Sequence, residues 1–571
     1  MNLKKFFPFL SWLPFQRDAL KADFMAGLTV ALVLVPQSMA YAQLAGLPPY
    51  YGLYAAFLPV AVAALWGSSN QLGTGPVAVA SLLTASSLAP LATPGSEQFV
   101  ALAILLALLV GIVQLALGVF KLGVVVNFLS HPVIVGFTNA AAMIIGLSQV
   151  NKLIGVPMGR SESFVQDIWG VVQRVGETHA ATLAMGVVAI IIMVLIRRKA
   201  PKLPGVLIAV ALTTTVAWLS GFAEAGGQVV GKIPTGLPAV GLPAFSMDQV
   251  GQLLSAAVVI SLVGFMEAIS IAKAIAAKTK QKIDPNQELI GQGLANLVGA
   301  ATQAFPVSGS FSRSAVNINA GARTGMSSVF TALFVLLTLL LLTPLLYHLP
   351  QAVLAAVIIM AVIGLINFGA IKHAWQANKH DGIAAVVTFV ATLAYAPHLD
   401  KGIMIGAGLA LVLYLYRTMT PRVAILGRFA DGTLRDAKVH NLPPSEVVTA
   451  VRFDGRLYFA NVSYFEDAIL EAVATNPKAP YLLIVADGIN EMDASGEEVM
   501  HHLVDRLHGS GVTVVFSGLK KQVLDVMRAT GLLEHVSLAN VHATADQALA
   551  YIYAQANGAH DQDALQPVPA V

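Results

Sequence analysis

The chain has 571 residues, 56% of them apolar and 11% charged, with a mean hydropathy of +0.72. Soluble globular chains carry about a quarter charged residues, so this balance excludes an ordinary water-soluble protein and points to a bilayer as the main solvent. The net charge of +3 gives no reason to expect nucleic acid, and the absence of cysteine excludes disulfides, thiolate metal sites and a thiol nucleophile.

In chain order, Lys4 and Lys5 precede a short aromatic stretch, Phe6 to Phe15, broken by Pro8 and Pro14. No small-residue cleavage site follows, so residues 1–22 read as a cytoplasmic N-terminal segment rather than a signal peptide. From 23 to 420 apolar stretches recur with short polar breaks. Against the roughly 20 residues that span a hydrocarbon core, about 14 segments are expected, two of them unusually short. They begin near Phe24, Tyr50, Val77, Phe99, Val124, Ala180, Leu203, Gly251, Pro285, Ser310, Gly325, Pro350, Gly382 and Gly402.

Charge placement orients these spans. With the N-terminus inside, the cytoplasmic loops hold Lys121, Arg197, Arg198, Lys199, Lys202, Lys273, Lys278, Lys280, Lys282, Arg323, Lys372, Lys379, Arg417 and Arg422. The outer loop from Leu44 to Tyr50 has no Lys or Arg, and Phe222 to Val250 has only Lys232. The outer loop after Val150 mixes Lys152, Arg160 and Arg174 with Glu162, Asp167 and Glu177. The bias follows the positive-inside rule and predicts a multi-pass protein of the cell (inner) membrane with both termini cytoplasmic.

Beyond Thr420 the texture changes. Residues 421–437 read as a linker, 438–556 as a small α/β domain and 557–571 as a polar, Pro-rich, disordered tail. A strand-like pair of runs falls at Glu446 to Phe459, with single strands at Tyr481 to Ala486 and Val512 to Phe516. Helical patterns start at Tyr464, Ala494 and Lys520.

The two short spans carry the chemistry. One opens at Leu72-Gly-Thr-Gly-Pro-Val-Ala-Val-Ala80, the other at Pro306-Val-Ser-Gly-Ser-Phe-Ser-Arg-Ser-Ala-Val316. Each is a small-residue entry into a helix, third in its half of the chain, and paired interrupted helices point to a transporter binding site. Gly75, Pro76, Val77 and Ala78 form the first entry, with Pro76 suited to a helix start. Gly309, Ser310, Phe311, Ser312 and Arg313 form the second, with Ser310 or Ser312 as the cap. The same small residues would also serve close helix packing in a bilayer. Gln37, after Pro36 in the first span, and Glu267 in the eighth each precede their half's broken helix by about 40 residues, as an inverted repeat requires. Gln37 and Tyr41 are four apart and share a helix face.

Glu267 and Arg313 are the ionisable residues placed well inside spans. A charge there costs about 2.5–3.5 kcal/mol, so such residues face a cavity or pair with one another. Two helix N-termini at roughly half a positive charge each, together with Arg313, amount to about +2, which favours an anion. Glu267 removes one charge unless protonated, and is expected to take up a proton when the anion binds. His131, before Pro132, reads as a packed or interfacial residue.

These motifs resemble those of the SulP family of sulfate permeases over nearly the whole chain. The residues carrying the likeness are Val35-Pro-Gln-Ser-Met-Ala-Tyr-Ala-Gln-Leu-Ala-Gly-Leu-Pro-Pro49, Tyr51-Gly-Leu-Tyr54 and Gly75-Pro-Val-Ala-Val79. Gly264-Phe-Met-Glu-Ala-Ile-Ser-Ile-Ala-Lys273 and Gly309-Ser-Phe-Ser-Arg-Ser-Ala-Val-Asn317 complete them. The resemblance implies 14 spans as 7+7 inverted repeats, a core moving elevator-fashion against a gate, a homodimer and a C-terminal STAS domain. It implies an anion site of Gln37, Tyr41, Val77 and Ala78 facing Ser310, Phe311, Ser312 and Arg313, with Glu267 at the position linked to proton or sodium coupling. Asn490-Glu-Met-Asp-Ala-Ser-Gly496 resembles the characteristic STAS loop, with Ser495 where some relatives are phosphorylated; Asp493 or Ser495 would otherwise simply cap the following helix.

The reading is a secondary transporter, sharpest as a proton-coupled sulfate symporter. Bicarbonate or dicarboxylate transport, anion exchange and sodium coupling stay open, and a uracil-type permease fits Arg313 less well. The rival of another class is a membrane-anchored signalling protein with the tail domain as output and a cytoplasmic partner. No cofactor, metal or enzymatic constellation is expected.

Overall fold

The computed structural model describes residues 7–14, 16–124, 130–158, 163–200, 203–234, 236–242 and 244–556. Lys4, Lys5, Arg160, Glu162, Lys202 and the tail 557–571, all used above, lie outside the described residues. The chain divides into two compact units, Met1–Ala410 and Leu411–Val571.

In the first unit the principal elements are α1 (Arg17–Leu44), α2 (Tyr50–Ala55), α3 (Leu58–Trp66), β1 (Gly73–Gly75), α4 (Ala78–Leu88), α5 (Glu97–Val119) and α6 (His131–Ser148). They continue as α7 (Ala180–Lys199), α8 (Gly205–Leu219), α9 (Met247–Thr279), α10 (Pro285–Ala301), β2 (Ser308–Ser310) and α11 (Phe311–Asn319). The series ends with α12 (Met326–Leu337), α13 (Gln351–Ile363), α14 (Lys379–Ala394) and α15 (Leu399–Met419). Among the described residues eight helices are long and apolar enough to cross a membrane, joined by three shorter apolar ones, Tyr50–Trp66, Ala78–Leu88 and Gly205–Leu219. The helices α10, α11 and α14 fill the remaining places in the expected series. The first helix starts at Arg17, inside the segment expected to precede it, and the fifth at His131 rather than Val124.

The helices sort into two groups. In one, α10 packs on α5 and α3, α12 on α1 and α3, and α9 on α5, α4 and β2. In the other, α14 packs on α6, α7 on α8 and α13, and α13 on α6. Thus the first four spans of each half of the chain build one body and the last three of each half the other. Small residues set the closest approaches. A Cβ on Gly52 would lie 1.9 Å from the Ser38 carbonyl oxygen, and one on Gly406 would lie 2.0 Å from Thr388 Oγ1.

At the centre of the first body β1 and β2 cross antiparallel, pairing Gly73 with Ser310, Thr74 with Gly309 and Gly75 with Ser308. Here the chain is non-helical inside a membrane-spanning bundle, where unsatisfied backbone groups cost several kcal/mol each. Buried side chains of α10 and their neighbours answer that cost. Asn296 accepts from the Val307 N–H (2.9 Å) and donates to the Val307 carbonyl (3.1 Å) and to Gln114 Oε1 (3.1 Å). Gln292 donates to Thr74 Oγ1 (2.9 Å), and Ser308 Oγ donates to the Gly264 carbonyl (2.7 Å). One turn earlier, Glu288 accepts from the Ser68 N–H, the Ser68 hydroxyl and the Ser69 N–H at 2.9–3.1 Å. Glu288 is therefore a further buried acid within a span, beyond the Glu267 and Arg313 singled out from sequence.

The second unit is an α/β domain. Its strands β3 (Arg422–Arg428), β4 (Leu434–Asp436), β5 (Val448–Asp454), β6 (Tyr481–Val485), β7 (Thr513–Ser517) and β8 (Val541–His542) form one sheet. The order is β4-β3-β5-β6-β7-β8, with β3 antiparallel to both its neighbours and the rest parallel. The principal helices that accompany it are α16 (Val462–Thr475), α17 (Ala494–Gly509), α18 (Lys521–Thr530), α19 (Leu532–Val536) and α20 (Ala545–Gln555). Leu482 and Ile484 face a core with residues of α16 to α19, while Leu483 and Val485 face one with α20. Burial on both sides explains the unbroken apolar run of β6.

Two expectations are corrected here. Residues 421–437 are not a linker, because β3 and β4 within them join the sheet. Glu446 to Phe459 holds the single strand β5 rather than a pair, and Leu457 makes an isolated bridge to Met492.

Replacing Asn296 by Leu leaves the Val307 N–H and carbonyl buried without partners, at roughly 1–3 kcal/mol each. We expect the purified variant to lose about 2–6 kcal/mol of stability on that basis, read as a lowered unfolding temperature in detergent. Gly52→Ala should fail to give monodisperse protein on size-exclusion chromatography, because backbone, not a movable side chain, meets the new methyl group.

Candidate functional site

The crossing of β1 and β2 determines where two helices begin. The helix α4 starts at Ala78 behind an N-cap of Val77, and α11 starts at Phe311 behind an N-cap of Ser310. The antiparallel register sends the two helices away from opposite ends of the crossing, so both N-termini point towards it. Each presents N–H groups that no intrahelical carbonyl can accept. Valine cannot cap, and α4 has no side-chain cap; α11 has the long contact from the Arg313 N–H to Ser310 Oγ, 3.5 Å.

A cavity of about 490 Å³ opens against these ends. From α1 it is lined by Gln37 and Tyr41, from the start of α4 by Val77, Ala78 and Val79, and from α9 by Glu267. Ser310, Phe311 and Ser312 line it at the start of α11. The far wall comes from the other body: Met193, Ile196 and Arg197 of α7, Gly205 and Val206 of α8, and Val357, Met360 and Ala361 of α13. The cavity thus sits on the seam between the two bodies. Phe311 is 65% exposed although it belongs to a central helix, because it stands in the cavity rather than in the packing.

Of the residues expected from sequence, Gln37, Tyr41, Val77, Ala78, Ser310, Phe311, Ser312 and Glu267 line one cavity. Gly75, Pro76, Gly309 and Arg313 stand behind that lining. Gly75 and Gly309 are backbone positions of the crossing; Gly75 has φ +143°, and a Cβ there would lie 3.3 Å from Arg313 Nη2. A Cβ on Gly309 would reach 2.9 Å from the Ala268 Cα. Pro76 is not the first helical residue, as its residue type suggested, because the helix starts two residues later; its carbonyl instead accepts from Arg313 Nη1 at 2.8 Å.

Arg313 is fully buried, and among the described residues its Nε and Nη2 have no hydrogen-bond partner. Among the described residues no carboxylate lies within ion-pair distance of it, so Glu267 and Arg313 are not joined in a salt bridge. A guanidinium with two idle donor atoms sits directly behind the helix crossing. Gln37, 5% exposed, likewise has Oε1 without a partner. Donors, helix ends and a cation converge on one side, and one carboxylate lines the same space.

Sequence reasoning missed Arg197 as a cavity residue and took it for a loop charge. It lies four residues after Met193, in the last turn of α7, and that spacing places both on one face. In the second unit Ser495 lies in the first turn of α17, whose N-cap is Asp493: its Oδ1 accepts from the Gly496 N–H at 2.8 Å, and Oδ2 from the Phe459 N–H at 3.0 Å.

Comparison with known proteins gives the family. The sulfate permease family model matches residues 20–388 and the STAS domain model residues 441–548. Over 96% of this chain and 83% of its own length, a chloroplastic sulfate transporter 4.1 of Arabidopsis thaliana is 35% identical. A probable sulfate transporter of Mycobacterium tuberculosis is 31% identical over 93% of this chain and 95% of its own. The structure of the murine solute carrier 26 family member A9 anion transporter in the inward-facing state superposes with a TM-score of 0.88 at 24% identity, covering 97% of this chain and 95% of that one. A family match across most of the membrane unit, relatives aligned nearly end to end and a shared fold lead to one conclusion: this chain belongs to the sulfate permease family, as a multi-pass membrane transporter with a C-terminal STAS domain and not an enzyme.

Proposed function

We propose that the chain takes up sulfate together with protons, binding the anion between the N-termini of α4 and α11. The observation that carries this reading is Arg313: a buried guanidinium with two unpartnered donor atoms, set behind two helix ends of which one has no side-chain cap. An arginine placed so with no carboxylate partner is costly unless an anion completes the charge balance. The helix ends add roughly half a positive charge each. Sulfate, with four acceptor oxygens, takes donors from both ends at once. The names of the relatives from Arabidopsis thaliana and Mycobacterium tuberculosis support sulfate as the first anion to test.

Glu267 supports the coupling. It shares the cavity with the anion site, and two negative charges in one low-dielectric space repel. Protonation of Glu267 removes that repulsion, so anion and proton favour each other's binding and move together. The position of the cavity supports the elevator motion. One body carries both helix ends and Glu267, the other carries only the opposing wall, and sliding the first against the second moves the site without dismantling it. The excess of Lys and Arg in alternate loops supports cytoplasmic termini, and Ser495 in the first turn of α17 is positioned for a regulatory phosphate.

Two results test this reading in proteoliposomes. Radiolabelled sulfate uptake should rise with an inward proton gradient in the native chain. In Glu267→Gln it should proceed at a rate indifferent to that gradient; a gradient response equal to the native one would remove Glu267 from the coupling. Arg313→Ala should lower uptake about tenfold or more, equivalent to roughly 1.4 kcal/mol or more of lost anion stabilisation, with Arg313→Lys intermediate because it keeps the charge but not the planar fork. Competition by unlabelled bicarbonate or a dicarboxylate stronger than by sulfate would replace sulfate as the substrate.

A further inference from the structure

The second unit carries a cluster that anion transport does not use. On α17, Glu497, His501, Asp505 and His508 follow one another at helical spacing and form a stripe. The core face of the same helix is Met500, Leu503, Val504 and Leu507, so the stripe is not there for packing. The short helix α19 brings His535 onto it. His535 Nε2 lies 2.7 Å from Asp505 Oδ1, and the His535 ring stacks on that of His501 with centroids 4.4 Å apart and planes at 22°. Glu497 Oε1 lies 3.5 Å from His501 Nδ1. One ligating atom from each of His501, Asp505 and His535 lies within 4.8 Å of the other two.

We propose that His501, Asp505 and His535 form a binding site for a divalent transition-metal ion, with Zn2+ as the best fit. Two imidazoles and one carboxylate are the donor set that Zn2+ and its first-row neighbours favour, whereas Ca2+ and Mg2+ take oxygen ligands. Bonds of about 2.0–2.1 Å in a tetrahedron hold neighbouring donors about 3.4 Å apart. His501 is partly exposed and Asp505 and His535 are exposed, so rotation of these side chains is the movement that binding would require. The fourth position is left to water, and Glu497 beside His501 Nδ1 is the kind of carboxylate that orients a ligating imidazole. A simple ion pair of His535 with Asp505 would not call for a second imidazole stacked on the first. The bound ion would tie α19 to α17, closing the segment that leads into the edge strand β8.

The test uses the full-length chain, purified on a tag other than oligohistidine and stripped with a chelator. Titration with Zn2+ should saturate at one ion per chain, and Co2+ in its place should give the visible absorption of a tetrahedral nitrogen and oxygen site. His501→Ala and His535→Ala should each weaken Zn2+ binding about tenfold or more, while His542→Ala, outside the cluster, should leave it unchanged. Absence of saturable Zn2+ binding by the native chain would overturn the proposal. So would saturable binding that survives unchanged in the His501→Ala/His535→Ala double variant.

Discussion

Backbone that leaves the helix inside a bilayer must have its polar groups satisfied by the protein itself, and this constraint organises the membrane unit. The chain leaves the helix at β1 and at β2, and it does so in one place so that each strand satisfies the other. What the strands cannot reach is met by α10, whose Glu288, Gln292 and Asn296 recur every four residues on one buried face. That helix is too polar to stand against lipid. It is stable because it is wrapped by α3 and α5. The result of this arrangement is two helix N-termini fixed at the centre of the bundle with their donors turned to a cavity.

Fixing them by strand pairing has a chemical consequence. A capped helix end is already satisfied and has little to offer an anion. With valine as the N-cap of α4, the first-turn N–H groups have no side chain to bond, and a ligand can take that role. Arg313 adds charge without entering the cavity, since its Nη1 is held by the Pro76 carbonyl and its remaining donors stay behind the crossing. In the proposed reading, a guanidinium kept out of direct reach favours an anion through charge and leaves direct contact to the helix ends. Glu267 lines the cavity itself, and in the proposed coupling it is the opposing charge that a proton switches off.

Most of this architecture is legible in the sequence because it rests on features that local pattern records. Apolar runs mark the spans, and two small-residue entries at matched positions mark the broken helices. Gln37 and Tyr41 four residues apart do meet in the cavity. What the sequence did not yield depends on long-range partners. Asn296 reads as one more polar residue in a weak span until Val307 is seen beside it. Arg197 reads as a loop charge until the wall formed by α7 is in view. The strand β4 is only three residues long, and β3 frames its apolar run Val423 to Leu426 with Arg422 and Arg428 and is partly exposed, so the segment reads as a linker although it pairs with β5. Arg313 is legible as a charge inside a span, but its position behind the lining follows from the register of β1 on β2, which no periodicity encodes.

The central claim is that an anion sits between the starts of α4 and α11. Because the chain contains no cysteine, a single introduced thiol reports its own surroundings without a background. The measurement is the rate at which a charged thiol reagent modifies Ala78→Cys and Ser312→Cys, with and without saturating sulfate, in variants that still transport. The account predicts that sulfate slows modification at both positions, since each lies at one of the two helix ends. Equal rates with and without sulfate at both positions, with transport intact, would contradict it and move the anion site elsewhere in the molecule.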